Sequence, residues 1–205
     1  MNKLFYLLFI AIFMGCNQKK EEYKNLHQIE ITKYQDNLNK EFSTPSSSPL
    51  TPEDLITFKK LEFFPIHENF KIEATLELTP NDPVFEMATT THRKPLYKRF
   101  AIAFFSLNGK KYKLNVYQNQ ELLVDVENRN YLFLPFTDLT NKHESYKGGR
   151  YIDLEIPLIN KLIIDFNKAY NPYCAYNAKY SCPIVPLENH LDIKITAGVK
   201  AYDKH

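Results

Sequence analysis

The sequence contains no tryptophan, only five glycines and only three cysteines among its 205 residues. The chain also lacks an excess of either charge, since 26 Lys and Arg nearly balance 24 Asp and Glu and leave a formal net charge of +2. This balance argues against an electrostatic grip on nucleic acid and against a polybasic membrane patch. The composition further excludes a collagen, a coiled coil and a multi-pass membrane protein.

What the chain does contain is typical of a globular protein. Hydrophobic residues make up 44% and charged residues 24%, and the length allows one domain with a short appendage. Fifteen Phe and fourteen Tyr predict a dense, aromatic-rich core. Tyrosines at alternating positions are expected mainly in this core, although Tyr146, Tyr151, Tyr170 or Tyr173 can stack on a glycan if exposed.

The first sixteen residues indicate export to the cell envelope. Lys3 precedes an apolar run, Leu4 to Met14, which is too short to span a bilayer and has the length of a signal peptide. The following Gly15-Cys16 resembles the lipobox of bacterial lipoproteins, in which the cysteine is lipidated. We expect a signal peptide over residues 1–15 and lipidation of Cys16. The alternative is an uncleaved anchor, or a conventional signal with an incidental cysteine.

Residues 16–45 are predicted to be a tether that carries an N-terminal helix. The spacing of Tyr23, Leu26, Ile29, Leu38 and Phe42 predicts one apolar stripe on that helix. The charge run at 19–22 resembles a signal for lipoprotein surface export, and it also suits a solvated tether. We therefore expect a protein anchored to a bacterial membrane, with the outer membrane favoured and either the periplasmic side or the cell surface possible.

The Ser- and Pro-rich segment 43–49 interrupts the helix, and the hydrophobic pattern after it predicts a β-rich domain over residues 46–205. Thr51-Pro52 has the residues of a helix start, and a short helix should run to about Lys60. Asn108-Gly109 is a strong hairpin signal. The predicted strands cover residues 70–78, 84–91, 97–107, 111–117, 131–136, 150–154, 161–166 and 191–196. The expected fold class is mainly β (α+β), a single antiparallel β-barrel or sandwich-like domain with one or two N-terminal helices.

The hydrophobic pattern yields to specific polar motifs between residues 135 and 190. They are YKGGRY at 146–151, DFNKAYNPYC at 165–174 and CPIVPLEN at 182–189. These motifs resemble the prokaryotic family called domain of unknown function 1684 (DUF1684), whose earlier segments fit residues 48–50 and 89–91. The resemblance covers about residues 45–202. It implies family membership and a shared site, but it brings no established activity and no catalytic residues.

The polar residues of these motifs are the candidate ligand-binding residues. They are Tyr146, Gly148, Gly149, Arg150, Asp153, Asp165, Asn167, Tyr170, Asn171, Glu188 and Asn189. The amides of the glycine pair and the Arg150 guanidinium can meet an anion. The same residues also suit a tight turn in which Arg150 pairs with Asp153 or Asp165. For the polar groups that follow the apolar run 162–164, we favour internal hydrogen bonds over a ligand.

Three functions remain open on these residues. The leading hypothesis is a lipoprotein that acts as a non-catalytic binding or accessory module, with a polar pocket for a small polar or anionic ligand. It leads because the sequence has no Gly-x-Ser-x-Gly, His-Glu-x-x-His or nucleotide-binding motif. The second is a hydrolase in which Asp165 and Glu188 form an acid/base pair and Arg150 stabilises charge. The third is a purely structural lipoprotein.

We expect a membrane partner through the lipid anchor, no nucleic-acid partner, no cofactor and no metal. We also expect Arg150→Ala to harm ligand binding more than folding.

The cysteines left after lipidation of Cys16 are Cys174 and Cys182. In an exported protein, such a pair most economically forms a disulfide. A zinc site would recruit His190, but the spacing of the cysteines matches none of the usual zinc motifs. A nucleophilic Cys174 with His190 as its base is a third alternative. The other histidines, His27 among them, have no ligand spacing and are expected to be at the surface or incidental.

Overall fold

The computed structural model describes the backbone of residues 2–202 and the side chains of residues 21–202. Side chains of the predicted signal peptide and of Cys16 lie outside this range, so the leader and the lipidation remain predictions. The helices of the described chain are α1 (Asn2–Ser43) and α2 (Pro52–Thr57). The strands are β1 (Lys71–Leu78), β2 (Val84–Glu86), β3 (Leu96–Leu107), β4 (Lys110–Asn119), β5 (Tyr131–Asp138), β6 (Arg150–Glu155), β7 (Lys161–Asp165) and β8 (His190–Leu191).

The strands form an antiparallel sheet in the order β6-β5-β4-β3-β1-β7. Strand β2 pairs antiparallel with the first residues of β3, and the short β8 pairs parallel with β5. The sheet curls into a half-barrel, and one long N-terminal helix accompanies it. The predicted fold class, mainly β with N-terminal helices, is therefore confirmed.

Local sequence signals explain most of these elements. Strand β1 alternates exposed and buried residues, so Ile72, Ala74 and Leu76 enter the core. The β3–β4 hairpin turns at Asn108 and Gly109, whose φ angles of 51° and 76° suit the tight turn that Asn-Gly favours. Thr51 caps α2 by accepting a hydrogen bond from the Asp54 amide at 3.1 Å.

The apolar stripe predicted for α1 was wrong in its first half. Tyr23, Leu26 and Ile29 are 73%, 57% and 60% exposed. The face that packs on the domain instead carries the buried His27 and Ile31, and it continues to Phe42. These positions recur at intervals of three to four residues through Tyr34 and Leu38, as a single helix face requires. A histidine expected at the surface thus begins the buried face.

Strand β8 is shorter than the predicted strand 191–196. The backbone carbonyls of Ile195, Ala197 and Val199 accept hydrogen bonds from the Arg150 guanidinium. A side chain therefore satisfies carbonyls that would otherwise need a partner strand. Within the part of the chain that the structure describes, no helix has an apolar stretch long enough to cross a bilayer.

Candidate functional site

Arg150 is fully buried, and its guanidinium makes hydrogen bonds to other groups of the protein core. Its Nη2 donates to Asp138 Oδ2 and to the Ile195 carbonyl, each at 2.8 Å. Asp138 is also fully buried, so the two side chains form an ion pair shielded from water. Burial lowers the pKa of Arg150 from its ordinary value, and the Asp138 carboxylate opposes that shift. The expected pairing with Asp153 or Asp165 was wrong, because the partner is Asp138.

The glycine pair makes the turn that enters β6. The Gly149 amide donates to the Tyr146 carbonyl at 3.1 Å, and Gly149 has a φ of +93°. A Cβ on Gly149 would lie 2.6 Å from the Phe136 carbonyl oxygen and 2.7 Å from a methyl carbon of Val185. Glycine is required here by both conformation and space. This turn delivers Arg150 into the core.

The Asp165 carboxylate and the side-chain amides of Asn167, Asn171 and Asn189 also form hydrogen bonds within the protein. Asp165 Oδ1 accepts from the backbone and side-chain nitrogens of Asn167 at 3.0 and 2.8 Å, and Oδ2 lies 2.6 Å from His27 Nε2. Asn171 Nδ2 donates to the Lys200 carbonyl at 2.8 Å. Asn189 bridges β4 and β5 by donating to the carbonyls of Asn115 and Pro135. Each of these groups joins segments that are distant in the sequence.

Glu188 lies elsewhere, exposed beside a shallow surface depression that also contains Asp82 and Arg99. The predicted convergence of Arg150, Asp165 and Glu188 does not occur. Each of the three has a different environment and different partners, so the structure offers no acid/base pair built from Asp165 and Glu188.

A cavity of about 440 Å³ forms on the other side of β6, and we call it the tyrosine pocket. Eight tyrosines line it, together with two carboxylates and a set of smaller or apolar side chains. The tyrosines are Tyr34, Tyr97, Tyr131, Tyr151, Tyr170, Tyr173, Tyr176 and Tyr180. The carboxylates are Glu41 and Asp153, and the other lining residues are Leu38, Phe42, Phe133, Asn171, Pro172, Ser181, Cys182 and Pro183. Of the sequence-predicted residues, Asp153, Tyr170, Asn171 and Cys182 lie here, as do Tyr151 and Tyr173, which were considered for stacking on a glycan.

Asp153 is the polar centre of the tyrosine pocket. Its Oδ1 accepts hydrogen bonds from the hydroxyls of Tyr131 at 2.7 Å and Tyr170 at 2.6 Å. Its Oδ2 has no hydrogen-bond partner among residues 21–202. Asp153 pairs with Phe133 across β5 and β6, which places Tyr131 at the diagonal cross-strand position. Tyr170 arrives through a bridge to Tyr151. The sheet thus presents one free carboxylate oxygen among phenol rings.

Helix α1 supplies one wall of the pocket. The Tyr34 hydroxyl donates to the Lys168 carbonyl at 2.9 Å, which fixes the middle of the helix to the domain. Nearer the end of the helix, Glu41 accepts a hydrogen bond from the Tyr173 hydroxyl. The ring of Phe42 packs edge-on against Tyr176, with centroids 4.7 Å apart. The pocket therefore exists only where the tether helix rests on the β-rich domain.

The electrostatic character of the pocket is negative. No Lys, Arg or His is among its lining residues, whereas two carboxylates are. Burial raises the pKa of Tyr131 and Tyr170 above the ordinary value, and the nearby Asp153 charge raises both further. Burial raises the pKa of Tyr34 in the same way, again with help from Asp153. The phenols are consequently neutral hydrogen-bond donors and aromatic faces.

Cys174 and Cys182 are neighbours but free thiols, so the expected disulfide is not formed in this structure. The Cys174 amide donates to Cys182 Sγ at 3.2 Å. The Tyr146 hydroxyl lies 4.0 Å from Cys174 Sγ. His190 instead contacts Thr137, with Nδ1 3.0 Å from Oγ1. Among the residues whose side chains are described, no three His, Cys, Asp or Glu are grouped to hold a metal ion.

Sequence reasoning missed most of this pocket. Tyr34 and Glu41 belong to the tether helix, while Tyr97, Tyr131 and Tyr180 lie outside the motif residues chosen as candidates. No local signal separates these tyrosines from core tyrosines. The alternation of β5 and β6 places Tyr131 and Asp153 on the same face, but the β5–β6 pairing had to be known first.

Comparison with known proteins agrees with the sequence motifs. The family described as "Protein of unknown function (DUF1684)" matches residues 56–200. The solution NMR structure of an uncharacterized protein from Haloarcula marismortui is similar, with 29% sequence identity and a TM-score of 0.68. That similarity covers 92% of this chain and 100% of the archaeal one, so it reaches beyond the family match. No curated protein matches the chain.

Proposed function

The chain belongs to the DUF1684 family, and from this premise we propose that it is a non-catalytic binding module whose tyrosine pocket takes a small organic cation. The observation that carries the proposal is the lining itself: eight tyrosines and two carboxylates, with no basic side chain. Aromatic faces and carboxylates together attract ammonium groups, as in the aromatic cages that hold quaternary ammonium ligands.

The pocket lining favours a cation over the small polar or anionic ligand that the sequence suggested. An anion would meet Glu41 and Asp153 and would find no guanidinium, because Arg150 is occupied by Asp138 in the core. A cation would instead meet the free Oδ2 of Asp153 and the negative faces of the phenol rings. One of the lining rings already has a cation beside it, since Lys179 Nζ lies 4.9 Å from the Tyr180 ring centroid.

Binding is favoured over hydrolysis for a separate reason. The hydrolase hypothesis needed Asp165, Glu188 and Arg150 in one place. Asp165 instead hydrogen-bonds His27 and Asn167, and Glu188 is exposed. The tyrosine pocket has a carboxylate with two phenol donors, which suits recognition of a ligand.

The test uses the full chain and isothermal titration with choline, its uncharged carbon isostere dimethylbutanol, and acetate. We expect saturable choline binding, at least about tenfold weaker binding of the isostere, and none of acetate. Asp153→Asn should weaken choline binding by about tenfold or more, because the nearest carboxylate is lost. Glu188→Gln, an exposed carboxylate outside the pocket, is the matched control and should bind like the parent protein. Equal binding of the isostere, or preference for acetate, would overturn the proposal.

We further propose that this module is held at a bacterial membrane by lipid on Cys16. The support is the apolar run ending at Gly15-Cys16, which belongs to the same helix α1 whose later part forms a wall of the pocket. Mass spectrometry of the mature protein from its own membrane should find an acylated N-terminal Cys16. A mature protein that retains residues 1–15, or carries an unmodified Cys16, would contradict this.

A further inference from the structure

We propose that Cys174 and Cys182 form a redox-active dithiol that exchanges with small disulfides at the edge of the tyrosine pocket. The inference is independent of the cation proposal, because it rests on the two thiols and the segments that hold them. Cys182 lines the pocket, and Cys174 directly follows Tyr173, which also lines it. Cys174 does not line the pocket, but it is partly exposed next to Cys182, so a small disulfide at the pocket edge reaches the Cys174 thiol.

The two thiols are held together without a covalent bond. The Cys174 amide donates to Cys182 Sγ at 3.2 Å. The Cys182 segment is fixed separately, since the Cys182 amide donates to Thr90 Oγ1 at 3.1 Å and the Thr90 amide donates to the Cys182 carbonyl at 2.9 Å. The two Thr90 bonds use only backbone atoms of Cys182, so they leave its sulfur available for a bond to Cys174.

The two sulfurs differ in exposure and in pKa, as the nucleophilic and the resolving cysteine of a redox pair do. Cys174 is partly exposed, whereas Cys182 is buried at 7% exposure. The hydrogen bond from Cys182 lowers the pKa of Cys174 to about 6, and the Tyr146 hydroxyl adds to this. The same hydrogen bond and burial raise the pKa of Cys182 above its ordinary value. Cys174 is therefore the thiolate, which is the attacking species in exchange.

The reaction balances with a small organic disulfide as the oxidant. The Cys174 thiolate attacks one sulfur of that disulfide, forms a mixed disulfide and expels the first thiolate, which takes up a proton. Cys182 then loses its proton and attacks Cys174 Sγ, which releases the second thiol. The protein gains one disulfide by losing two electrons, and the small disulfide is reduced to two thiols.

The experiment uses the full chain with Cys16→Ser, so that Cys174 and Cys182 are its two thiols, and follows the reduced protein by mass spectrometry after addition of hydroxyethyl disulfide. The parent protein should lose its two thiol hydrogens and keep no adduct. Cys182→Ser should accumulate a mixed disulfide on Cys174, because the resolving thiol is absent. Cys174→Ser should react at least about tenfold more slowly, since the remaining thiol is buried and protonated. Equal reactivity of the two variants, or no adduct on Cys182→Ser, would overturn the assignment of roles.

Two further measurements separate a redox pair from a structural disulfide. In a buffer of mixed reduced and oxidised glutathione, both forms of the parent protein should be populated. A protein that stays fully oxidised at every glutathione ratio has a structural disulfide, and the proposal fails.

The rate at which iodoacetamide alkylates Cys174, located by peptide mapping, should be half-maximal near pH 6, because the hydrogen bond from Cys182 lowers the pKa of that thiol to about 6. A midpoint near the ordinary value of about 8.5 would also contradict the proposal.

Discussion

His27 Nε2 lies 2.6 Å from Asp165 Oδ2, in a buried contact that joins helix α1 to the end of β7. Asp165 Oδ1 is taken by Asn167, so the carboxylate has partners on both oxygens. The same helix carries Tyr34 and Glu41 into the tyrosine pocket. The His27–Asp165 contact therefore stabilises the fold and also positions one wall of the pocket. It connects the tether helix to the proposed ligand site.

Replacing His27 by Ala should lower the free energy of unfolding by about 1–3 kcal/mol, because the buried Asp165 oxygen loses its partner. Urea unfolding of the full chain measures this. Proteolysis within α1 should also become faster, since the helix is held less firmly. Gln28→Ala changes the adjacent, exposed position and should leave both readouts unchanged. If the two variants are equally stable, His27 does not hold the helix.

Replacing Arg150 by Met should lower the free energy of unfolding by about 3–5 kcal/mol, because Asp138 is left as a buried, unpaired charge. This reverses the expectation from the sequence that Arg150 serves the ligand more than the fold. Adding Asp138→Leu to Arg150→Met should recover part of the loss. Lys161→Met removes an exposed partner of Glu73 and should have little effect in the same unfolding assay.

Choline titration of Arg150→Met, under conditions where it is folded, gives the second readout for this residue. The affinity should match that of the parent protein, because Arg150 does not line the tyrosine pocket. A folded Arg150→Met protein with weakened choline binding would show that the residue acts at the site.

Replacing Gly149 by Ala should destabilise the protein by about 1–3 kcal/mol more than Gly109→Ala does. Both glycines have positive φ, but an added Cβ meets the Phe136 carbonyl at Gly149 and nothing within 4 Å at Gly109. The comparison isolates the steric part of the effect, which thermal or urea unfolding can measure. Similar losses at the two positions would mean that the backbone relaxes around Gly149.

The protein should lose stability as the pH rises above about 10, the ordinary pKa of tyrosine. The folded-state pKa values of Tyr131, Tyr151 and Tyr170 are raised by burial. A raised folded pKa favours folding while the phenol is protonated, so this contribution is full below pH 10 and declines above it. The urea midpoint should therefore fall from pH 9 to pH 11 (~two units across the ordinary pKa). Tyr131→Phe should make that fall smaller, and an unchanged dependence would contradict the assignment.

Much of the fold could be predicted from sequence because its signals are local. Alternation of apolar residues from Ile72 to Leu76 fixes which face of β1 is buried, and Asn108-Gly109 fixes the β3–β4 turn. Thr51-Pro52 starts α2 for reasons contained in those residues alone. The family motifs also lie in continuous segments, so membership was visible before the structure.

Partner choice and the location of the pocket were decided only by the tertiary structure. The sequence offers several acidic residues as ion-pair partners for Arg150, and the tertiary packing selects Asp138. Asp153 contacts Tyr131 and Tyr170 because three separate segments converge there, and the pocket wall from α1 comes from a fourth segment near the start of the chain. In strands such as β1, the local apolar alternation determines which side chains are buried, whereas tertiary contacts decided which face of α1 packs on the domain. Which buried polar groups meet depends on long-range strand order and register, and neither is encoded by neighbouring residues.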